Sequence, residues 1–126
     1  MPREESRYPQ DWFRIGDREL NRARNLLLLK DFGGAAFNIQ QALEKYLKGY
    51  LLSKGWELKR IHDLEILLNE VIAHDPSFEQ FRAPCQKIAQ YYVEERYPLL
   101  VTSELTEDEI RESLSAAENI LARTRG

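Results

Sequence analysis

Apolar residues recur at spacings of three and four along most of the chain, and no stretch alternates in the way a half-buried strand requires. The first helical segment runs from about Pro9 or Asp11 to Lys30. Phe13, Gly16, Leu20, Ala23 and Leu27 share its inner face, and Arg14, Arg18 and Arg22 repeat on the outer one. Leu26 to Leu29 is apolar all round, which predicts cover on two sides. Asp31-Phe32-Gly33-Gly34 then reads as a break, because paired glycines favour a turn. A second helix covers about 34–54, with Gly55 placed as a left-handed cap. Gly49 inside it costs about 1 kcal/mol against alanine, which close approach of another helix would offset. Trp56 to Ile61 reads as a loop.

A shorter third helix follows from about His62 to Ala73, with Leu64, Leu67, Leu68, Val71 and Ile72 on one face. Asp75-Pro76 ends it. The fourth spans about Ser77 to Tyr97, carries Phe78, Phe81, Cys85, Ile88 and Tyr92 at helical spacing, and stops at Pro98. Thr106 and Glu109 form a capping box for a fifth helix, which points Ile110, Leu114, Ala117 and Leu121 inward. Long helices joined by short loops favour antiparallel neighbours. The expectation is an all-α fold, an up-and-down four-helix bundle with an additional short helix, forming a single domain over residues 1–126.

The second helix has an unusual polar stripe. With Leu43 at the centre of the buried face, Ala36, Ile39, Leu47 and Tyr50 lie close to it, and Asn38, Gln41, Lys45 and Lys48 fall opposite. Such a stripe reads first as a solvated face and second as a row of phosphate contacts.

Composition narrows the classes. The chain is 43% apolar and 31% charged, enough for a core and too apolar for disorder. Its net charge of −3 argues against coating nucleic acid through global charge. A basic stretch nevertheless exists, because residues 44–62 hold Lys45, Lys48, Lys54, Lys59 and Arg60 against Glu44 and Glu57. Nothing approaches the roughly 20 apolar residues of a membrane span, and Met-Pro-Arg-Glu-Glu has no apolar secretion core, so the expected location is cytoplasmic. One cysteine and two separated histidines, without a Glu-x-x-His pair, predict neither a metal site nor a cofactor. Cys85 reads as a small buried hydrophobe.

Gln-Gln-Ala-Leu-Glu-Lys-Tyr-Leu-Lys at 40–48, His62-Asp63-Leu64, and Glu95-Arg96-Tyr97-Pro98 occur in an order and spacing that resembles the HEPN domain family, of the kind associated with minimal nucleotidyltransferases. The resemblance spans most of the chain. It implies a helical bundle linked to nucleotides and RNA, a tendency to form homodimers, and a nucleotidyltransferase partner in a toxin–antitoxin-like pair. Active ribonucleases of the family resemble one another in an arginine followed at a short spacing by histidine on the last long helix. Histidine there moves protons at the 2′-OH while arginine stabilises phosphate charge. Neither His62 nor His74 has an arginine at that spacing, and no histidine follows Arg96. The family helix also often carries a histidine near the position of Asn38.

Lys45, Lys48, His62 and Arg96 are the resulting candidates for a ligand site, on a polar surface between the second helix and the end of the fourth. Gln41, Asp63 and Tyr97 are weaker ones. His62 could carry a proton with Asp63 as its orienter, or the two could simply open the third helix. Arg96 could clamp phosphate with Tyr97 beside it, or bridge structurally to a carboxylate. Three functions follow: a non-catalytic nucleotide-, RNA- or partner-binding module, a metal-independent ribonuclease whose His62 and Arg96 meet across a dimer, and a purely structural assembly module. The isolated protein is expected to show no strong ribonuclease activity. Leu26–Leu29 with Tyr91 and Tyr92 gives more apolar surface than one core needs, which predicts a homodimer.

Overall fold

The computed structural model describes residues 6–96 and 105–125, and in the fourth helix side chains as far as Tyr91. The elements are α1 (Pro9–Leu28), α2 (Phe32–Ser53), α3 (Leu64–His74), a 3-10 helix (Pro76–Phe81), α4 (Arg82–Arg96) and α5 (Glu107–Arg125), with no strand among the described residues. The fold is an all-helical bundle.

α1 and α2 are antiparallel and closely packed. Gly16 and Gly49 make this possible. A Cβ on Gly16 would lie 2.6 Å from Tyr46 Cε1, and one on Gly49 would lie 2.9 Å from Phe13 Cε1. The helix propensity lost at these glycines is thus exchanged for ring-on-backbone contact. α5 also runs antiparallel to α1, since Arg24 pairs with Glu118 and Asp17 with Arg125. α2 touches each of the other four α-helices, so it is the centre of the bundle.

That position corrects the reading of the polar stripe. Gln40, Glu44, Lys45 and Lys48 are buried, the two lysines at 4% and 2% exposure. An isolated amphipathic pattern assumes one wet face, whereas a central helix has none. α5 is rotated relative to its expected stripe. Ile110, Ser113, Ala117, Ile120 and Thr124 are buried, while Leu114 and Leu121 sit at the margin. Ser113 is admitted because its hydroxyl shares a 2.6 Å hydrogen bond with the Tyr91 phenol. Tyr91 is therefore core, not surplus apolar surface; the Tyr92 side chain lies outside the described residues.

Helix ends differ from expectation where backbone bonding outweighs residue type. α1 closes at Lys30, whose φ is 62°, with Lys30 N–H donating to Leu27 O and Asp31 N–H to Leu26 O. This pair of hydrogen bonds uses a lysine where glycine is usual. Gly33 and Gly34 are not the break; they form the first turn of α2, capped by Asp31, which accepts from Gly34 N–H at 2.9 Å. α2 ends as expected, with Gly55 at φ 85° and Trp56 N–H reaching back to Leu51 O. The predicted fourth helix is in two pieces. Asp75 caps Ser77 N–H, and the spacing of three between Phe78 and Phe81 suits 3-10 geometry, which sets their rings 5.7 Å apart. Thr106 caps α5 through Glu109 N–H at 3.2 Å. Leu28 and Leu29 remain 79% and 76% exposed, so this chain does not cover them. Pro98 lies outside the described residues.

Candidate functional site

The buried stripe of α2 closes around one carboxylate. Gln40, Glu44 and Lys48 follow one another at i, i+4 spacing, and Gln41 and Lys45 make a parallel row beside them. Glu44 Oε2 lies 3.7 Å from both Lys45 Nζ and Lys48 Nζ. Lys45 Nζ also reaches Glu19 Oε1 of α1 at 3.2 Å and Gln41 Oε1 at 3.4 Å. Gln41 in turn donates to Gln40 Oε1 at 2.6 Å. Lys48 Nζ stands 5.2 Å from the centre of the Trp12 ring, whose indole N–H donates to Ser6 O. The lysines' stems fill space between helices while their charges are matched by two carboxylates.

Glu19 carries the cost of this arrangement. Desolvation raises its pKa, with Lys45 pulling the other way. Its Oε2 is buried and has no hydrogen-bond partner among the described residues. A second buried acid is balanced more fully, since Glu44 keeps an ammonium on either side.

The other oxygen of Glu44 faces outward. The loop after α2 doubles back along the helix, and His62 Nδ1 meets Glu44 Oε1 at 3.1 Å. The imidazole is 65% exposed and the Glu44 side chain 3% exposed. A buried carboxylate thus orients a surface histidine. With Nδ1–H donated to Glu44, Nε2 is left as a hydrogen-bond acceptor.

Asp63 does not orient His62. It is the N-cap of α3, its Oδ1 accepting from Glu65 N–H at 2.8 Å and Ile66 N–H at 3.2 Å. The structure therefore assembles Lys45, Lys48 and His62 around Glu44, with Gln41 hydrogen-bonded to Lys45. The lysines lie behind the carboxylate instead of on an open polar surface. Arg96 is the last residue of α4, and its side chain, like the whole of Tyr97, lies outside the described residues. Glu44 and Glu19 were missed by sequence reasoning. The signal for Glu44 was that the polar arc of α2 holds acid and base in adjacent rows, as internal pairing requires. No group of three His, Cys, Asp or Glu residues suited to a metal occurs among the described residues.

Comparison with known proteins fits the helical architecture and the motifs. The HEPN domain family matches residues 9–126. The chain belongs to the HEPN domain family. This HEPN domain superposes on the crystal structure of TT1696 from Thermus thermophilus with a TM-score of 0.77 and 28% identity, covering 93% of this chain and 95% of that one. It is also similar to ST0689, an archaeal HEPN homologue, with a TM-score of 0.75 and 26% identity, covering 94% and 96%. No curated protein matches the sequence.

Proposed function

We propose that this HEPN domain is a binding module for a phosphate-bearing ligand, a nucleotide or single-stranded RNA, working as a homodimer beside a minimal nucleotidyltransferase in a toxin–antitoxin-like pair. The observation that carries the ligand reading is the exposed His62 ring held on buried Glu44. In this reading His62 touches phosphate, Arg96 supplies the second positive charge, and Lys45 and Lys48 act through Glu44 without touching the ligand. The exposed Leu28 and Leu29 favour a self-contact that removes them from water.

The same dyad favours a second reading, a metal-independent ribonuclease assembled across the dimer. A carboxylate-oriented imidazole is what proton transfer at a 2′-OH needs. The arginine-to-histidine spacing of active family members is missing from this sequence, so binding ranks first.

The test measures ATP and labelled single-stranded RNA binding across a salt series for the wild type, His62→Ala and Arg96→Ala, together with RNA cleavage in EDTA. Binding that weakens with salt and in both variants, without cleavage, supports the binding module. Robust cleavage abolished by His62→Ala would promote the nuclease. No binding of either probe would leave an assembly role for the bundle. Sedimentation showing a monomer at high protein concentration would remove the dimer from the proposal.

A further inference from the structure

The outer face of α1 carries charges that the fold does not use. Arg14, Arg18 and Arg22 follow one another at i, i+4 spacing, and all three are exposed. Arg14 lies 3.4 Å from Asp11. Arg18 and Arg22 make no hydrogen bond or ion pair among the described residues; Arg22 acts only at a distance, on Glu19. The net charge of the chain is −3, and Arg24, Arg82, Arg111 and Arg125 each reach a carboxylate. Arg18 and Arg22 stand apart from that pattern.

The acids that flank this ridge are engaged elsewhere. Asp17 takes Arg125 and the Tyr46 hydroxyl, and Glu19 takes Lys45. Asp11 accepts from the Ser6 hydroxyl besides pairing with Arg14. The positive charge at Arg18 and Arg22 is therefore not cancelled on the surface that bears it.

The same stripe ends in an apolar side chain. At about 100° per residue, Leu29 projects within about 20° of Arg18. It continues the helical path, because its N–H donates to Asn25 O, and it is 76% exposed. Ile15, half-buried, borders the ridge about 60° round from Arg18. Arginines alone suit a solvated face, whereas a leucine in line with them makes the face amphipathic.

Two occupants fit this face poorly. Antiparallel packing of α1 on α1 about a two-fold axis brings arginine against arginine, which opposes a second copy here. Leu28 projects about 100° from Leu29, so a self-contact centred on Leu28 leaves the ridge open. A nucleic-acid strand would find a row of arginines only about 12 Å long, with no aromatic ring among them for a base to stack on. The exposed Tyr8 precedes the helix as its N-cap.

We propose that the outer face of α1 is a docking surface for a protein partner that presents an acidic amphipathic helix. Carboxylates four residues apart on such a helix stand about 6 Å apart, the spacing of Arg18 and Arg22, and a guanidinium takes a carboxylate through paired N–H donors. An apolar residue about two turns further along meets Leu29. This contact does not depend on the ligand reading at His62.

The experiment titrates the full chain with a synthetic capped helical peptide and follows backbone amide shifts. The peptide carries two glutamates four residues apart and a leucine about two turns outside each, all on one face. A second peptide of the same composition spreads these residues around the helix. The first is expected to shift Ile15, Arg18, Arg22 and Leu29 and to bind at least about fivefold more tightly than the second. Arg18→Gln and Arg22→Gln should each weaken it by about threefold and the double variant by about tenfold, while Lys54→Gln leaves it unchanged. The substituted side chains are exposed and glutamine is a good helix former. Thermal melts confirm folding, and the wild-type shift map stands independently of the variants. No binding at millimolar concentration, equal binding of the two peptides, or no effect of the double variant would each overturn the proposal. Single-stranded RNA or phosphatidylglycerol vesicles that shift these amides at lower concentration than the peptide would overturn it in favour of a nucleic-acid or membrane surface. Self-association lost in Arg18→Gln would assign the ridge to a second copy and overturn it as well.

Discussion

Glu44 and His62, eighteen positions apart in sequence, are joined by a 3.1 Å hydrogen bond in which one partner is buried and the other faces solvent. The two ends of that bond should respond very differently to mutation. Glu44→Gln removes the charge between two buried ammoniums and is expected to cost about 3 kcal/mol in urea unfolding. His62→Ala removes only an exposed partner and should cost less than about 1 kcal/mol. Equal losses in the two variants would show that the imidazole, not the lysine pair, dominates the stability of this cluster.

Gly16→Ala tests the α1–α2 contact. The added Cβ would press on a fully buried Tyr46 ring whose hydroxyl donates to Asp17 at 2.8 Å, so the ring has little room to withdraw. Overpacking of this kind costs about 1–3 kcal/mol, enough to overcome the propensity gain of about 1 kcal/mol. A melting temperature at or above that of the wild type would contradict the contact.

Lys30 occupies the left-handed position that ends α1. Alanine keeps the strain there and glycine relieves it, so Lys30→Gly should be more stable than Lys30→Ala by about 1 kcal/mol. Both lose the exposed pair with Glu107, which cancels from the comparison. The reverse order, ordinary inside a helix, would mean that the turn is not left-handed in solution.

Glu19 predicts a pH effect of definite sign. Desolvation raises its carboxyl above the ordinary 4.5. Between that value and the raised one, the folded protein holds a proton that the unfolded chain has lost. Its contribution to stability is therefore fully present below 4.5 and falls as pH rises through the window. In paired urea titrations, the wild type should gain on Glu19→Gln as pH is lowered from neutrality towards the ordinary carboxylate range. A wild type that loses ground on acidification would reverse the assignment.

Cys85 is buried, and desolvation pushes its thiol up to about 12. Reaction with a disulfide reagent at mildly alkaline pH should be negligible in the folded protein and immediate in denaturant. Prompt modification under native conditions would show that the α4 core opens readily.

Much of the bundle is written locally. The inner face of α1, the Thr106 cap, the Gly55 cap and the apolar row of α3 depend on residues within a turn or two of each other, and periodicity exposes them. The HEPN motifs likewise lie in short contiguous strings. Tertiary structure decided what neighbours do. It buried the polar arc of α2, because α2 is surrounded on every side, and so turned two candidate surface lysines into counter-ions of Glu44. It gave His62 a glutamate eighteen residues away as its orienter and left Asp63 as a cap. It placed the α1 turn on Lys30 instead of the paired glycines, since the bonds back to Leu26 and Leu27 outweigh a lysine's reluctance at positive φ. Sequence states which side chains a helix can offer; only packing states which of them lose their water, and that loss determines whether a charge binds a ligand or another residue.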